Sequence, residues 1–316
     1  MHEQKFRNRV SQSLASLPIT ALLVSVVWML PDVSNLYLWG GLGVMAAMTL
    51  IVAEWNNQFQ LIRIRSRMNS VVFLTLMALF PNLHVLNWAV VPAAALLVSY
   101  FVLFRAYGAY QVQGIVFHAM FFISLGSLSY PPLLLFVPFL LISTYAQLRA
   151  LTLRAFFGGL LGVLLPYWLY APYLVWQHEA GQEFFALWRD YLIVDIPDYA
   201  ALPPHHWVAP GLLVFLALVS LLHFLRTAYN DKIRTRQYFY LLLVQFLPLL
   251  LIMAAYPTDD AHWIPLLIVN MTPFVGHYFT LARGRLMNLW FWCWLVLLVA
   301  LGGIQYLDLW RFFYNI

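Results

Sequence analysis

The sequence predicts an all-α transmembrane fold. It has about eleven membrane-spanning helices, a cytoplasmic N-terminus, an outside C-terminus and one interfacial amphipathic helix before the eighth span. Three observations predict it. First, hydrophobic residues make up 63% of the 316 and charged residues 9%, against roughly 45–50% and 25% in a typical soluble domain. The mean hydropathy is +0.79, and 29 charges cannot cover a water-soluble globule of this length. Second, the apolar residues fall into runs near the ~20 residues that cross a ~30 Å hydrocarbon core. Third, the basic residues sort to one side of those runs.

The runs, cut at charges and at Pro, Gly and Asn clusters, lie near 14–30, 36–53, 68–84, 87–104, 114–129, 132–148, 155–175, 208–225, 237–256, 263–281 and 286–305. The first follows Lys5, Arg7 and Arg9 with no small-residue cleavage site after it, which is the pattern of a retained signal anchor. The pair 114–129 and 132–148 is short and split by Tyr130-Pro131-Pro132. A re-entrant hairpin and two spans both fit that spacing, and the charge pattern favours two spans.

With the N-terminus inside, 15 of the 17 basic residues fall in cytoplasmic segments, and only Arg189 and Arg311 lie outside. Nine of the 12 acids lie outside. Lys and Arg set orientation, and one helix more or fewer in the middle would invert every later loop. The outer loop 177–207 is the longest. Its stretch 183–194 has apolar residues at 184, 185, 187, 188, 191, 192 and 194, the spacing of a helix lying in the interface. No soluble domain fits anywhere, so 1–316 reads as one polytopic membrane domain.

The single cysteine, Cys293, stands in an apolar run, which excludes an internal disulfide framework and a cysteine metal site. Basic residues occur singly and in threes, so no nucleic-acid surface is indicated. No Asp, Lys or Arg falls inside an expected span, which weighs against ion-coupled transport. His118, His223 and His277 are the intramembrane histidines, each on its own span, and such a residue more often bridges helices than carries function. Gly158-Gly159 and Gly162 before Pro166 suit close helix packing.

Polar groups collect on the outer side. A carboxylate there can act as general base, and an arginine or histidine can hold a phosphate. Asp32, Asp190 and Asp195 are the base candidates, Arg189 is the phosphate contact, and Asp259, Asp260 and His262 line the site. The plainer reading of each is a solvated loop cap. His205, His206 and His262 with Asp259 or Asp260 could ligate a divalent ion, but adjacent histidines point apart and no H-x-x-x-H spacing appears, so no metal site or cofactor is assigned. On the inner side, Arg63, Arg65 and Arg67 beside an Asn/Gln group are the candidates for a lipid headgroup. The plainer reading there is a positive-inside anchor.

Residues 57–173 carry a polar loop ending in arginines, then Ala78-Leu-Phe-Pro81, then Gly114 to Gly126 running into Tyr130-Pro131-Pro132, and finally Gly158-Gly159 to Pro166. This order resembles a family of uncharacterised bacterial polytopic inner-membrane proteins. More distantly it resembles the middle helices of membrane glycosyltransferases that use polyprenyl-phosphate sugars. That second likeness implies an outer-face reaction with a carboxylate in the first outer loop, where Asp32 is the one acid. The loop here is short and has no Asp-Glu pair.

The expected function is therefore cell-envelope biogenesis in the bacterial inner membrane. The protein would bind a lipid-linked sugar or lipid phosphate at the outer interface and would be glycosyltransferase-like if it is an enzyme. Membrane lipids and membrane-protein partners are expected, and nucleic acid is not. The alternatives are a non-catalytic scaffolding subunit and a transporter of a neutral or lipidic solute. An enzyme predicts a carboxylate converging with Arg189. A transporter predicts a polar path through Gln113, His118, Gln245 or Asn270.

Overall fold

The computed structural model describes residues 6–192, 197, 199, 202, 205–282, 284 and 287–307. Among them the chain is helical, with no strand. Fourteen α-helices follow in order: α1 Phe6–Gln12, α2 Ser16–Met29, α3 Leu36–Phe59, α4 Met68–Ala78, α5 Val91–Leu103, α6 Gln113–Ser127, α7 Phe136–Ala146, α8 Leu153–Trp176, α9 His178–Leu192, α10 His205–Thr227, α11 Ile233–Val244, α12 Phe246–Ala255, α13 Asp260–Leu281 and α14 Met287–Tyr306.

Among the described residues, seven segments are long and apolar enough to cross a membrane: Leu36–Phe59, Trp88–Ala106, Leu153–Trp176, His206–Asn230, Ile233–Ala255, Asp260–Leu281 and Met287–Tyr306. The other four expected spans are occupied by shorter apolar helices, Ser16–Met29, Met68–Ala78, Gln113–Ser127 and Pro131–Ala146. At ~1.5 Å per residue the longest of these reaches about 24 Å, short of the ~30 Å core. The structure thus supports a polytopic membrane protein with seven spans by length and composition.

Local chemistry explains the helix ends. Asn35 accepts from the Tyr37 N–H at 2.9 Å and starts α3, and Gln60 ends it in the left-handed region at φ 51°. Thr152 accepts from the Ala155 N–H at 3.2 Å and starts α8. Side-chain caps of this kind satisfy N–H groups that have no partner inside the helix. Gln245 interrupts the eleventh and twelfth helices, and its Nε2 donates to Ser143 Oγ of α7 at 3.1 Å.

The chain groups into two compact units, one of Met1–Asn87, Ala201–Arg236 and Leu267–Ile316, the other of Trp88–Ala200 and Gln237–Leu266. In the first unit α4 packs between α2 and α3. Arg7 of α1 is pinned there. Its guanidinium donates to the Ala282 carbonyl, and its backbone N–H donates to Asn288 Oδ1 at 3.1 Å. The stretch of α13 in this unit is buried through Thr280 and carries Asn270, Thr272, His277 and Thr280 among its apolar residues.

In the second unit α6 packs between α5 and α8. The glycines permit it: a Cβ on Gly158 would lie 3.1 Å from the Gln113 carbonyl oxygen, one on Gly159 3.1 Å from Val116, and one on Gly162 would strike the Phe117 carbonyl. α9 folds back on α8, with Tyr170 and Trp188 both edge-on or tilted against Phe184 at 5.7 and 5.9 Å. A helix thus occupies the expected amphipathic stretch, beginning five residues earlier than the spacing predicts.

Candidate functional site

The turn Tyr256-Pro257-Thr258-Asp259 links α12 to α13 in the second unit and gathers most of its polar chemistry. Asp259 sits just before α13, so one helical turn brings His262 back over it. Their Oδ1 and Nδ1 lie 2.5 Å apart. A carboxylate only accepts, so Nδ1 carries the proton of this bond. The Tyr191 hydroxyl of α9 donates to Asp259 Oδ2 at 2.8 Å. The Tyr256 hydroxyl donates to the Tyr191 carbonyl at 2.6 Å, and Trp263 Nε1 donates to the Tyr256 carbonyl at 3.2 Å. Both Asp259 oxygens are therefore fixed.

Aromatic rings wall the pair. Tyr130, in the turn between α6 and α7, stacks on the His262 ring at 4.6 Å and 2°. Tyr191 meets Tyr130 edge-on at 5.4 Å and Tyr256 at 5.1 Å. Desolvation first, and then the Asp259 charge, push the Tyr130, Tyr191 and Tyr256 phenols above their ordinary range. All three stay protonated, and the O–H groups of Tyr191 and Tyr256 are already donated within the protein. The Tyr130 hydroxyl is buried with no hydrogen bond of ordinary geometry. Asp259 and His262 keep side-chain exposures of 21% and 22%, so a ligand can reach them.

Of the residues expected from sequence, this arrangement unites Asp259 and His262. Asp260 is the first residue of α13, half-exposed beside them, where its charge favours the helix N-terminus. Arg189 and Asp190 do not converge on the site. They stand 4.0 Å from each other with 71% and 72% side-chain exposure, a solvated neighbour pair. Residues two apart on a helix face different ways. Tyr191 reaches Asp259, so Arg189 cannot.

Asp32 lies in the first unit, exposed, and accepts from the Ser34 N–H at 2.9 Å as a turn cap. Asp195 falls outside the described residues, as does the His205 side chain. Among the described residues no group of three His, Cys, Asp or Glu side chains comes together as metal ligands.

The inner arginines divide. Arg63 is engaged within the first unit, 3.7 Å from Asp231 Oδ1 and donating to the Asn230 carbonyl at 3.3 Å. Arg65 and Arg67 are exposed. Asp231 in turn meets His277 Nε2 at 3.0 Å, both side chains 1% exposed, with the His223 ring 5.8 Å from that of His277. Residues 46 apart form this buried pair, and neither its spacing nor its residue types mark it in the sequence. Asp231, in the segment between the expected spans 208–225 and 237–256, thus stands against one of the intramembrane histidines.

Gln245 is fully buried in the second unit with Nε2 donating to Ser143 Oγ, Asn270 is fully buried in the first unit, and His118 is exposed with Nδ1 2.6 Å from the Gly114 carbonyl oxygen. Tyr130 was legible only in the Tyr130-Pro131-Pro132 turn and Tyr191 only as an apolar position of the stretch 183–194. No family model, curated protein or solved structure matches the chain.

Proposed function

We propose that the protein is a polytopic inner-membrane protein of cell-envelope biogenesis that binds a lipid-linked sugar at the outer membrane–water interface. The Asp259–His262 pair is its polar centre. The observation that carries this reading is the half-open carboxylate–imidazole pair set among three protonated tyrosines at a span end. A few fixed polar groups within an aromatic lining are the usual makeup of a small-molecule site. A sugar offers hydroxyls to Asp259 and His262 and an apolar ring face to the tyrosines. Its lipid tail would remain in the bilayer.

The orientation that puts this end outside is the one in which 15 of 17 basic residues lie inside. In that arrangement the seven long helices and four shorter ones make eleven crossings, with 3-10 turns such as Pro131–Leu135 extending the short ones. α9 then lies along the outer interface. The resemblance of residues 57–173 to glycosyltransferases of polyprenyl-phosphate sugars supports the ligand class. If the protein is catalytic, His262 Nε2 is the base and Asp259 fixes its tautomer.

The test is binding of a polyprenyl-phosphate sugar to purified protein in nanodiscs, read by tryptophan fluorescence. Asp259→Asn and His262→Ala are each expected to weaken binding about tenfold, the loss of one charge-assisted hydrogen bond. Unchanged affinity in both variants, with elution profiles like wild type, overturns the assignment.

A further inference from the structure

We propose a second, separate site: a recess at the opposite end of the second unit that holds the phosphate headgroup of an anionic phospholipid. A recess of about 600 Å³ opens between the end of α5 and the start of α6. Its rim is polar, formed by Arg105, Gln111, Gln113 and His118, and its inner wall is apolar, formed by Val102, Ile115 and Phe122. Phe122 stands eight residues along α6 from Gly114, about 12 Å deeper toward the bilayer centre. Polar rim and apolar wall thus follow the order of a phospholipid, headgroup first and chain behind.

Charge selects the occupant. The Arg105 guanidinium is held 4.7 Å over the Phe101 ring and makes no ion pair among the described residues. The chain carries no Asp or Glu between Glu54 and Glu179. The nearest acid of this unit by chain, Glu179, follows α8, whose 24 residues span about 36 Å. That is several Debye lengths at physiological salt. Gly158 of α8 lies against the Gln113 carbonyl, so Arg154, one turn earlier, adds a second cation to the same end. His118 has Nδ1 on the Gly114 carbonyl, which makes Nδ1 the donor and points the ring's hydrogen-bond capacity to Nε2. Gly114 leaves open space where a side chain would stand.

Phosphatidylglycerol and phosphatidylcholine compete for the purified full-length protein, and the lipid retained is counted by native mass spectrometry. Wild type is expected to retain phosphatidylglycerol in preference, and Arg105→Gln to reduce that preference about fivefold, the worth of one cation near a headgroup. Gly114→Leu, which fills the recess without changing charge, should abolish retention, with elution like wild type as the control for folding. Inorganic phosphate lacks the chain that lies along Phe122 and should not displace the lipid. Equal retention of both lipids, unchanged preference in the two variants, or displacement by phosphate overturns the proposal. The Asp259 site is untouched by these variants, so its binding assay separates the two.

Discussion

His84 illustrates how one side chain is committed by its surroundings. Its ring stacks on Trp28 at 3.9 Å, Nε2 reaches the Ala78 carbonyl at 3.2 Å, and Nδ1 meets the Tyr306 hydroxyl at 2.8 Å. Its own carbonyl accepts from Trp28 Nε1 at 3.0 Å. Desolvation lowers the imidazole to about 4 from its ordinary 6.5, with the Ala78 carbonyl opposing. The unfolded chain therefore binds a proton between pH 6.5 and about 4 that the folded chain refuses. Stability is present above pH 6.5 and falls as pH drops through that window, by about 3 kcal/mol in all. Thermal unfolding in detergent should show this acid loss. His84→Gln should lower the midpoint at pH 7.5 and flatten the slope between pH 6.5 and 4, and an unaltered slope would remove His84 as its source. Trp28 and Tyr306 lie 56 and 222 positions from His84, beyond the reach of any local pattern.

At the scale of the element, the α6–α8 pair rests on three glycines whose spacing of one and three keeps them on one face. This much was legible, because glycine spacing on a helix is a local property. Gly162→Ala would drive a methyl into the Phe117 carbonyl, a backbone atom that cannot rotate away. The expected cost is about 1–3 kcal/mol, the range for overpacking, read as a lower unfolding midpoint. Gly43→Ala serves as the contrast, since nothing lies within 4 Å of its added carbon. Equal midpoints for the two variants would refute close packing at Gly162. The helix before the eighth expected span was legible in the same way, from the spacing of its apolar residues. Arg189 and Asp190, the polar residues that drew notice, face solvent, and the apolar-side Tyr191 carries the contact to Asp259.

For the whole molecule, the distribution of charge predicts an orientation that labelling can test. In a Cys293→Ser background, Glu179→Cys should react with a membrane-impermeant maleimide in spheroplasts, and Arg65→Cys only after permeabilisation. Five expected spans separate the two positions. Labelling of both from one side would break the odd count between them, and the reverse pattern would invert the topology.

The sequence by itself determined the membrane class, the helical content and the positions of the apolar runs. Those follow from composition and from runs of ~20 residues, quantities that need no knowledge of what touches what. It also placed Asp259 and His262 three apart across a helix start, close enough to meet. Only the tertiary structure decided that Tyr130 and Tyr191 complete that pair while Arg189 and Asp32 stay out of it. Only it brought Asp231 to His277, and only it set Arg105 at the rim of a recess with no ion pair among the described residues. The physical reason is the same in each case. A helix surface fixes neighbours three or four residues apart, whereas partners on different helices are set by packing between faces, and composition and spacing do not encode it.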